Sequence, residues 1–374
     1  MSTPLLSADA VVHLPATPLM PARPVRPAGH ALHVATFLDH LALGEAGQCA
    51  LSGLSMLTQL RHLMWRSQAL GDGLRQHLGV RPGDRVLLAL DDDLTVCLLL
   101  WALAREGVWC VVAPRAHDAS TWQALGQVVQ PRACVTTPAQ LAHAQGLSTP
   151  GLVLWSDEAL LEATFKRRLG AWYQQRSTPP AACAIDGVLG LHLAPDGDGG
   201  WWPMSISHRN VLASLGQCEA ALGTRGALHA QSHWWQGLLG RGMLWPRPWG
   251  WPRQPVAWTA RRAPWWAPAR VGLPVACRVS AGAGSAWRAL PSTDVRILGP
   301  ACEGGGAGEI CVKGPQVPAQ VWQQPQANAA LYTVEGHLRT GVMGRIDAQG
   351  LLHLSDANPH EMHAIADLSC DAFT

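Results

Sequence analysis

Lysine is almost missing from this 374-residue chain: of its 28 basic residues only Lys166 and Lys313 are lysine, and the rest are arginine. Any mechanism that needs a lysine has two positions to draw on. Charge is sparse as well, at 14% of residues, against about 25% in ordinary soluble domains. The formal net charge is only +2, and a field that weak gathers no polyanion, so nucleic acid is excluded as an expected partner. Long apolar runs are lacking too. The best candidate, Leu94 to Ala113, is interrupted by Arg105 and Glu106, so no transmembrane segment is expected. The first 32 residues hold no basic stretch leading into an apolar core, and no secretory leader is expected. Ten cysteines form no CxxC pair; a reducing cytoplasm suits them better than a disulfide framework. Phenylalanine and tyrosine fall to three and two while tryptophan reaches 18. Arg, Ala, Gly, Pro and Trp share GC-rich codons, and drift in base composition accounts for the bias.

What is present is an apolar, foldable chain, with 48% hydrophobic residues, which excludes wholesale disorder. Residues 1–40 are rich in Pro and Ala without periodicity and read as an extended lead-in. An α/β lobe is expected over 41–223. There Leu57, Leu60, Met64, Leu70, Leu74 and Leu78 recur at three- and four-residue steps and predict one apolar helical face, closed by Gly79. Strand-length apolar runs follow at Val86–Leu90, Val108–Ala113, Ala133–Thr136 and Leu152–Trp155. Helical stripes lie between them: one through Leu94, Cys97, Leu98 and Trp101, one from Asp118 or Ser120 to Val129, and one opening at Thr137-Pro138. Alternation of this kind predicts a doubly wound parallel sheet. Residues 224–283 break the pattern: eight tryptophans fall between Trp234 and Trp266 among repeated prolines, and an irregular segment with exposed indoles is expected. Over 284–356 a β-rich lobe is predicted from Val295–Leu298, Glu309–Lys313 and Leu351–Leu354, separated by Gly and Pro clusters. Residues 357–374 read as a tail.

Several motifs, taken in order, carry a resemblance. Gly83-Asp84-Arg85-Val86 leads to Arg105-Glu106-Gly107-Val108; Ser207-His208-Arg209-Asn210 follows. Then come Gly284-Ser285, Arg288, Leu290-Pro291 and Thr293-Asp294-Val295-Arg296-Ile297. Gly308-Glu309-Ile310-Cys311-Val312-Lys313-Gly314-Pro315-Gln316-Val317 and Leu338-Arg339-Thr340-Gly341 complete the series, with Asp347, Gly350 and Asp356 after them. Together they resemble the AMP-forming acyl-CoA synthetases, and are most similar to the bacterial long-chain fatty acid–CoA ligases. The resemblance implies an ATP-dependent acid–thiol ligase with ATP and Mg²⁺ in its site. It also implies an N-terminal domain built of an α/β lobe and a β-rich lobe.

The departures fall on the positions that the resemblance makes chemical. Where the family has a hydroxyl-rich phosphate loop ending in lysine, this chain has Ala194-Pro195-Asp196-Gly197-Asp198-Gly199-Gly200-Trp201-Trp202-Pro203. Gly197 and Gly199 keep the glycines of such a loop, but Trp202 stands at the lysine position. Two carboxylates enter a site meant for a polyanion, and like charges 4 Å apart repel by about 1 kcal/mol in water and about 4 kcal/mol at a protein-like dielectric. Val342 replaces the aspartate that would hold ribose, and cannot accept a hydrogen bond. Asp356 keeps the hinge aspartate, but Ala357 replaces its arginine. The chain stops eighteen residues later at Thr374, which implies that the C-terminal domain and its lysine are absent. Only 73 residues separate Asn210 from Gly284, too few for the family's acyl and adenine pocket. His233, in Ser232-His233-Trp234-Trp235, reads either as a remnant of the family's Pro-Leu-aromatic-His or, more simply, as a surface or packed histidine, and His208 lies in the motif that follows the phosphate loop.

The expectation is therefore a degenerate relative with no catalytic residues, no metal and no bound cofactor; Gly197, Gly199, Trp202, His208, Val342 and Asp356 are its vestigial nucleotide-binding positions, and His233 its candidate substrate contact. Two alternatives stand beside it. One is a ligase working through a different site or completed by a separate C-terminal domain. The other is a non-catalytic acyl-binding or scaffold protein, whose partners would be a fatty acid, an acyl-CoA, an active synthetase or another protein. Other chemistries find no pattern. Asp91-Asp92-Asp93 suits a solvated helix start, His360 and His363 flank Glu361 at the wrong spacing for a zinc protease, and no Gly-x-Ser-x-Gly elbow occurs.

Overall fold

The computed structural model describes residues 12–13, 33–43, 50–51, 58–90, 92–113, 119–166, 184–222, 265–279, 286–299 and 306–355. In chain order these give β1 (Val12–His13), α1 (Val34–Leu43), β2 (Ala50–Leu51), β3 (Thr58–Gln59) and α2 (Leu60–Gly73), which runs into a π-helical turn over Leu74–Leu78. Next come β4 (Arg85–Ala89), α3 (Asp93–Arg105), β5 (Trp109–Val112), α4 (Ala119–Val129), β6 (Ala133–Thr136), α5 (Leu141–Ala144), β7 (Val153–Ser156) and α6 (Asp157–Lys166). The strands β8 (Val188–Pro195) and β9 (Trp201–Ser207) lead to α7 (His208–Leu222). Beyond them lie β10 (Trp265–Trp266), β11 (Ala276–Arg278), β12 (Ala286–Ala289), β13 (Asp294–Leu298), β14 (Gly308–Lys313), α8 (Pro325–Leu331), β15 (Leu338–Ile346) and β16 (Leu352–Leu354).

The first sheet has the order β7-β6-β4-β5-β8-β9. Its first five strands are parallel and β9 returns antiparallel to β8. The helices cover both faces: Leu70, Leu99, Leu103 and Leu215 pack in one apolar cluster with Val86 and Val112, while Trp122, Leu125 and Val129 pack with Leu87, Val111 and Leu191 in another. This is the doubly wound sheet that the alternating pattern predicts. The second sheet, β1-β13-β14-β15-β16-β12-β11-β10, is antiparallel throughout and buries Val295, Ile310, Val312 and Val342.

Two expectations need correction. The lead-in is not extended up to residue 40, because Val34 begins a helix. Val34, Ala35 and Leu38 are fully buried, a stripe too short to stand out against the Pro/Ala bias before it. Nor is the Trp-rich stretch irregular to residue 283: β10 and β11 belong to the second sheet, and the Trp266 indole is fully buried. Residues 223–264 lie outside the described residues, and with them most of that stretch.

The two sheets are joined rather than tethered. The outer edge of β9 is paired by residues 320–322 of the β-rich part, where Ser205 N–H donates to Gln320 O (2.9 Å) and Trp322 N–H to Pro203 O (2.7 Å). The Trp322 ring lies 4.7 Å under the Arg85 guanidinium and edge-on to Trp109 at 6.2 Å.

Candidate functional site

Residues Asp196–Gly200 form the connection between β8 and β9, whose ladder runs to Pro195 and Trp201. A loop this short has to turn sharply, and Gly197 and Gly199 do so at φ +95° and +87°, a region open to glycine. The Asp196 carboxylate then folds inward: Oδ1 accepts the backbone N–H groups of Asp198 (2.9 Å) and Gly200 (2.8 Å). The Asp196 N–H donates to Gly200 O (3.2 Å), closing the turn from the other side. The amides that could converge on an anion are thus directed at a carboxylate within the loop.

Two residues along β9, Trp202 pairs with Ala194 across the ladder and packs partly buried into the core of the second sheet. The Arg270 guanidinium lies over its ring, 4.9 Å from the centroid, a favourable cation–π geometry. Arg270 also donates to Arg339 O (3.1 Å) and sits 3.6 Å from Glu309. Glu309 accepts from Arg339 Nε (2.8 Å) and from the Gly341 N–H (3.1 Å). Gly341 has φ +78°, and a Cβ there would come within 2.9 Å of the Arg270 guanidinium. Val342 is 1% exposed and faces the same core as Trp202. Strand β9 and the Thr340-Gly341-Val342 stretch, far apart in sequence, therefore meet in one seam. Its occupants are an indole, a guanidinium and a valine.

His208 is not part of that seam. Seven residues of β9 lie between the loop and α7, about 20 Å at strand rise. The His208 imidazole is 1% exposed and its Nδ1 accepts the Val34 N–H (3.2 Å). Burial, and then the neighbouring His33, push it down to about 4. The rest of its motif is structural in the same way. Ser207 and Asn210 cap α7 reciprocally, with Ser207 N–H donating to Asn210 Oδ1 (2.8 Å) and Asn210 N–H to Ser207 Oγ (3.1 Å). Asn210 Nδ2 reaches across to Pro315 O (2.9 Å) and Val317 O (3.0 Å). Two turns on, Gln217 Nε2 donates to Pro291 O (2.5 Å) and Gln316 Oε1 (3.1 Å). Motif residues Arg85, Arg105, Asp294 and Gln316 likewise serve backbone carbonyls, ion pairs or buried amides.

Asp92 caps α3 by accepting from Thr95 N–H (2.9 Å) and Oγ1 (2.6 Å), as expected for a helix start. His233 and Asp356 lie outside the described residues. Among those described, no three His, Cys, Asp or Glu side chains gather at a spacing that would hold a metal ion, and no helix is long and apolar enough to cross a membrane. Arg270, Glu309 and His33 were not singled out by sequence reasoning. One arginine among many carries no spacing signal, and Glu309 was legible only as part of a motif.

No protein-family model matches the chain. Curated relatives match over a fifth of it: the malonate–CoA ligase of Arabidopsis thaliana is 33% identical over 73 residues, 20% of this chain and 12% of that protein. The indoleacetate–CoA ligase of Aromatoleum aromaticum is 42% identical over 83 residues, 21% and 16% of the two chains. A long-chain-fatty-acid–CoA ligase of Salmonella typhimurium is 37% identical over 76 residues, 20% and 13%. The matched stretch thus spans under a fifth of each relative. Solved structures match much more of the chain. ATP-bound MatB from Rhodopseudomonas palustris has a TM-score of 0.61 at 16% identity, covering 86% of this chain and 78% of its own. The O-succinylbenzoate coenzyme A synthetase MenE from Bacillus subtilis, in complex with ATP and magnesium, has a TM-score of 0.63 at 16% identity, covering 86% and 99%. The chain has the fold of the adenylate-forming acyl-CoA synthetases, and a fifth of its sequence is similar to CoA ligases.

Proposed function

We propose that this protein is a catalytically silent, acyl-CoA synthetase-like protein that has kept the two-lobed architecture and does not adenylate a carboxylic acid. The observation that carries the reading is the Asp196 turn. A phosphate loop works by turning free backbone N–H groups toward an anion, and here the N–H groups of Asp198 and Gly200 are taken by the Asp196 carboxylate. An incoming triphosphate would have to break those bonds and approach that carboxylate and Asp198 with like charge.

The rest of the seam supports the same reading. Trp202 offers no charge to a phosphate. Arg270 has the charge, but it is stacked on Trp202 and set between Glu309 and the Arg339 carbonyl. Val342, buried, has no acceptor for a ribose hydroxyl. These residues do not fit ATP–Mg²⁺, and no chemical step is derived through it. The acids to test are long-chain fatty acids, malonate and indoleacetate, which the names of the similar ligases carry.

Titration of the purified protein with ATP and magnesium in a calorimeter tests the reading. No saturable heat is expected, and incubation with ATP, magnesium, CoA and palmitate, malonate or indoleacetate should release no AMP above a protein-free blank. Stoichiometric ATP binding overturns the proposal, whatever the turnover.

A further inference from the structure

His33 and His208 come from opposite ends of the α/β lobe sequence and meet with ring centroids 5.4 Å apart, tilted by 54°. Both rings act as acceptors toward the first turn of α1. His33 Nδ1 accepts the Ala35 N–H (3.2 Å), and His208 Nδ1 accepts the Val34 N–H (3.2 Å). The first N–H groups of a helix have no partner within it, so the two imidazoles supply what a capping side chain would otherwise supply. A proton on either Nδ1 turns the acceptor into a donor facing a donor.

The surroundings do not welcome such a proton. From α3, the Arg105 side chain, 2% exposed, approaches the pair and is ion-paired with Asp39 of α1. Trp101 Nε1 donates to the same Asp39 oxygen (3.1 Å). On α7, Arg209 turns outward to Asp186 (2.5 Å). On α2, the charged groups described are Arg66, over the Phe165 ring, and Asp72, paired with Arg75. Protonating both histidines would set three cations against the Asp39 carboxylate. Burial accordingly holds both imidazoles down at about 4, with Arg105 adding to the effect on His33 and His33 to that on His208.

We propose that the His33–His208 pair is an acid-sensitive latch: while both rings are neutral they hold α1 on the body of the protein, and protonation releases the helix and bares Val34, Ala35 and Leu38. The device is independent of nucleotide and of catalysis. Its set point lies on the acid side of an ordinary histidine, because docking has to be lost before the rings can gain their protons.

Two measurements on the full chain test it. Hydrogen exchange read by mass spectrometry, corrected for the intrinsic pH dependence, should show the 33–43 segment losing about tenfold to a hundredfold in protection between pH 7 and 5. The segments of β4 and β6 should change less. The double variant His33→Asn, His208→Asn keeps an acceptor near each Nδ1 position without a titrating ring, and should flatten that loss while leaving α1 protected at pH 7. Should the variant not fold, histidine C2–H exchange on the wild-type protein gives the answer directly. Both histidines are then expected to titrate below 5. Titration of either near 6.5, or an unchanged 33–43 segment at pH 5, overturns the latch.

Discussion

The Asp196 carboxylate accepts the Gly200 N–H at 2.8 Å across the five-residue connection between β8 and β9. If that bond closes the loop, Asp196→Ala should loosen the hairpin and lower stability by about 1 kcal/mol, since hydrogen bonds to a partly exposed carboxylate have modest net worth. Urea denaturation measures the loss. ATP affinity should not appear in the variant, because Trp202 and Val342 remain.

Returning the lysine that the resemblance implies should not return its chemistry. Trp202→Lys removes an indole from the second core and separates Arg270 from its aromatic partner. A cost of about 2–4 kcal/mol is expected for truncating a partly buried tryptophan, read as a lower urea midpoint. Adenylation of palmitate is expected to stay at blank level, and a gain of activity would mean that the rest of the seam is competent.

Asn210→Ala should be among the most damaging single changes to stability. The amide satisfies the Pro315 and Val317 carbonyls and also completes the α7 cap. Leaving the buried Val317 carbonyl unsatisfied adds to the lost bonds, so about 2–4 kcal/mol is expected by chemical denaturation. Asn210→Asp should not rescue it, because a carboxylate cannot donate to those carbonyls.

Global stability should depend on pH through the two buried histidines. Their folded values, about 4, lie below the ordinary 6.5, so the unfolded chain binds more protons between those limits. Stability is fully present above pH 6.5 and is lost as the pH falls toward 4. The loss is up to about 3 kcal/mol per histidine, from 1.36 kcal/mol per pH unit. Urea midpoints at pH 7.5 and 5 check the sign.

Burial pushes the Cys110 and Cys134 thiols well above their usual range, and Cys218 up to about 12. Iodoacetamide at pH 8 should leave these three unmodified in the folded protein and alkylate them only in denaturant, because the thiolate is the reacting form. Peptide mapping by mass spectrometry distinguishes the two.

The first sheet was legible because its strands are buried on both faces. Val86–Leu90 and Ala133–Thr136 read as unbroken apolar runs, with helical periods between them. The return of β9 against β8 was not legible: Trp201-Trp202-Pro203 resembles neither an alternating strand nor an apolar run, and a proline is tolerated there because it meets the outer edge with its carbonyl, which accepts the Trp322 N–H. Helix α1 was hidden because its buried stripe is only five residues long. At the candidate site, the losses at Trp202 and Val342 were legible from residue chemistry alone. Arg270 was not, since what recommends it is a stacking partner 68 positions away in sequence.

Residues 320–322 zip the outer edge of β9, and Trp322 wedges under Arg85 at the foot of β4. A polypeptide cut anywhere between α7 and β13 would therefore expose a bare strand edge on one fragment and an unburied indole on the other. The two lobes are consequently a poor unit for recombination: neither half could be exchanged with that of another protein unless the donor supplied a matching strap. Co-expressed halves would be expected to find each other again before either accumulated alone.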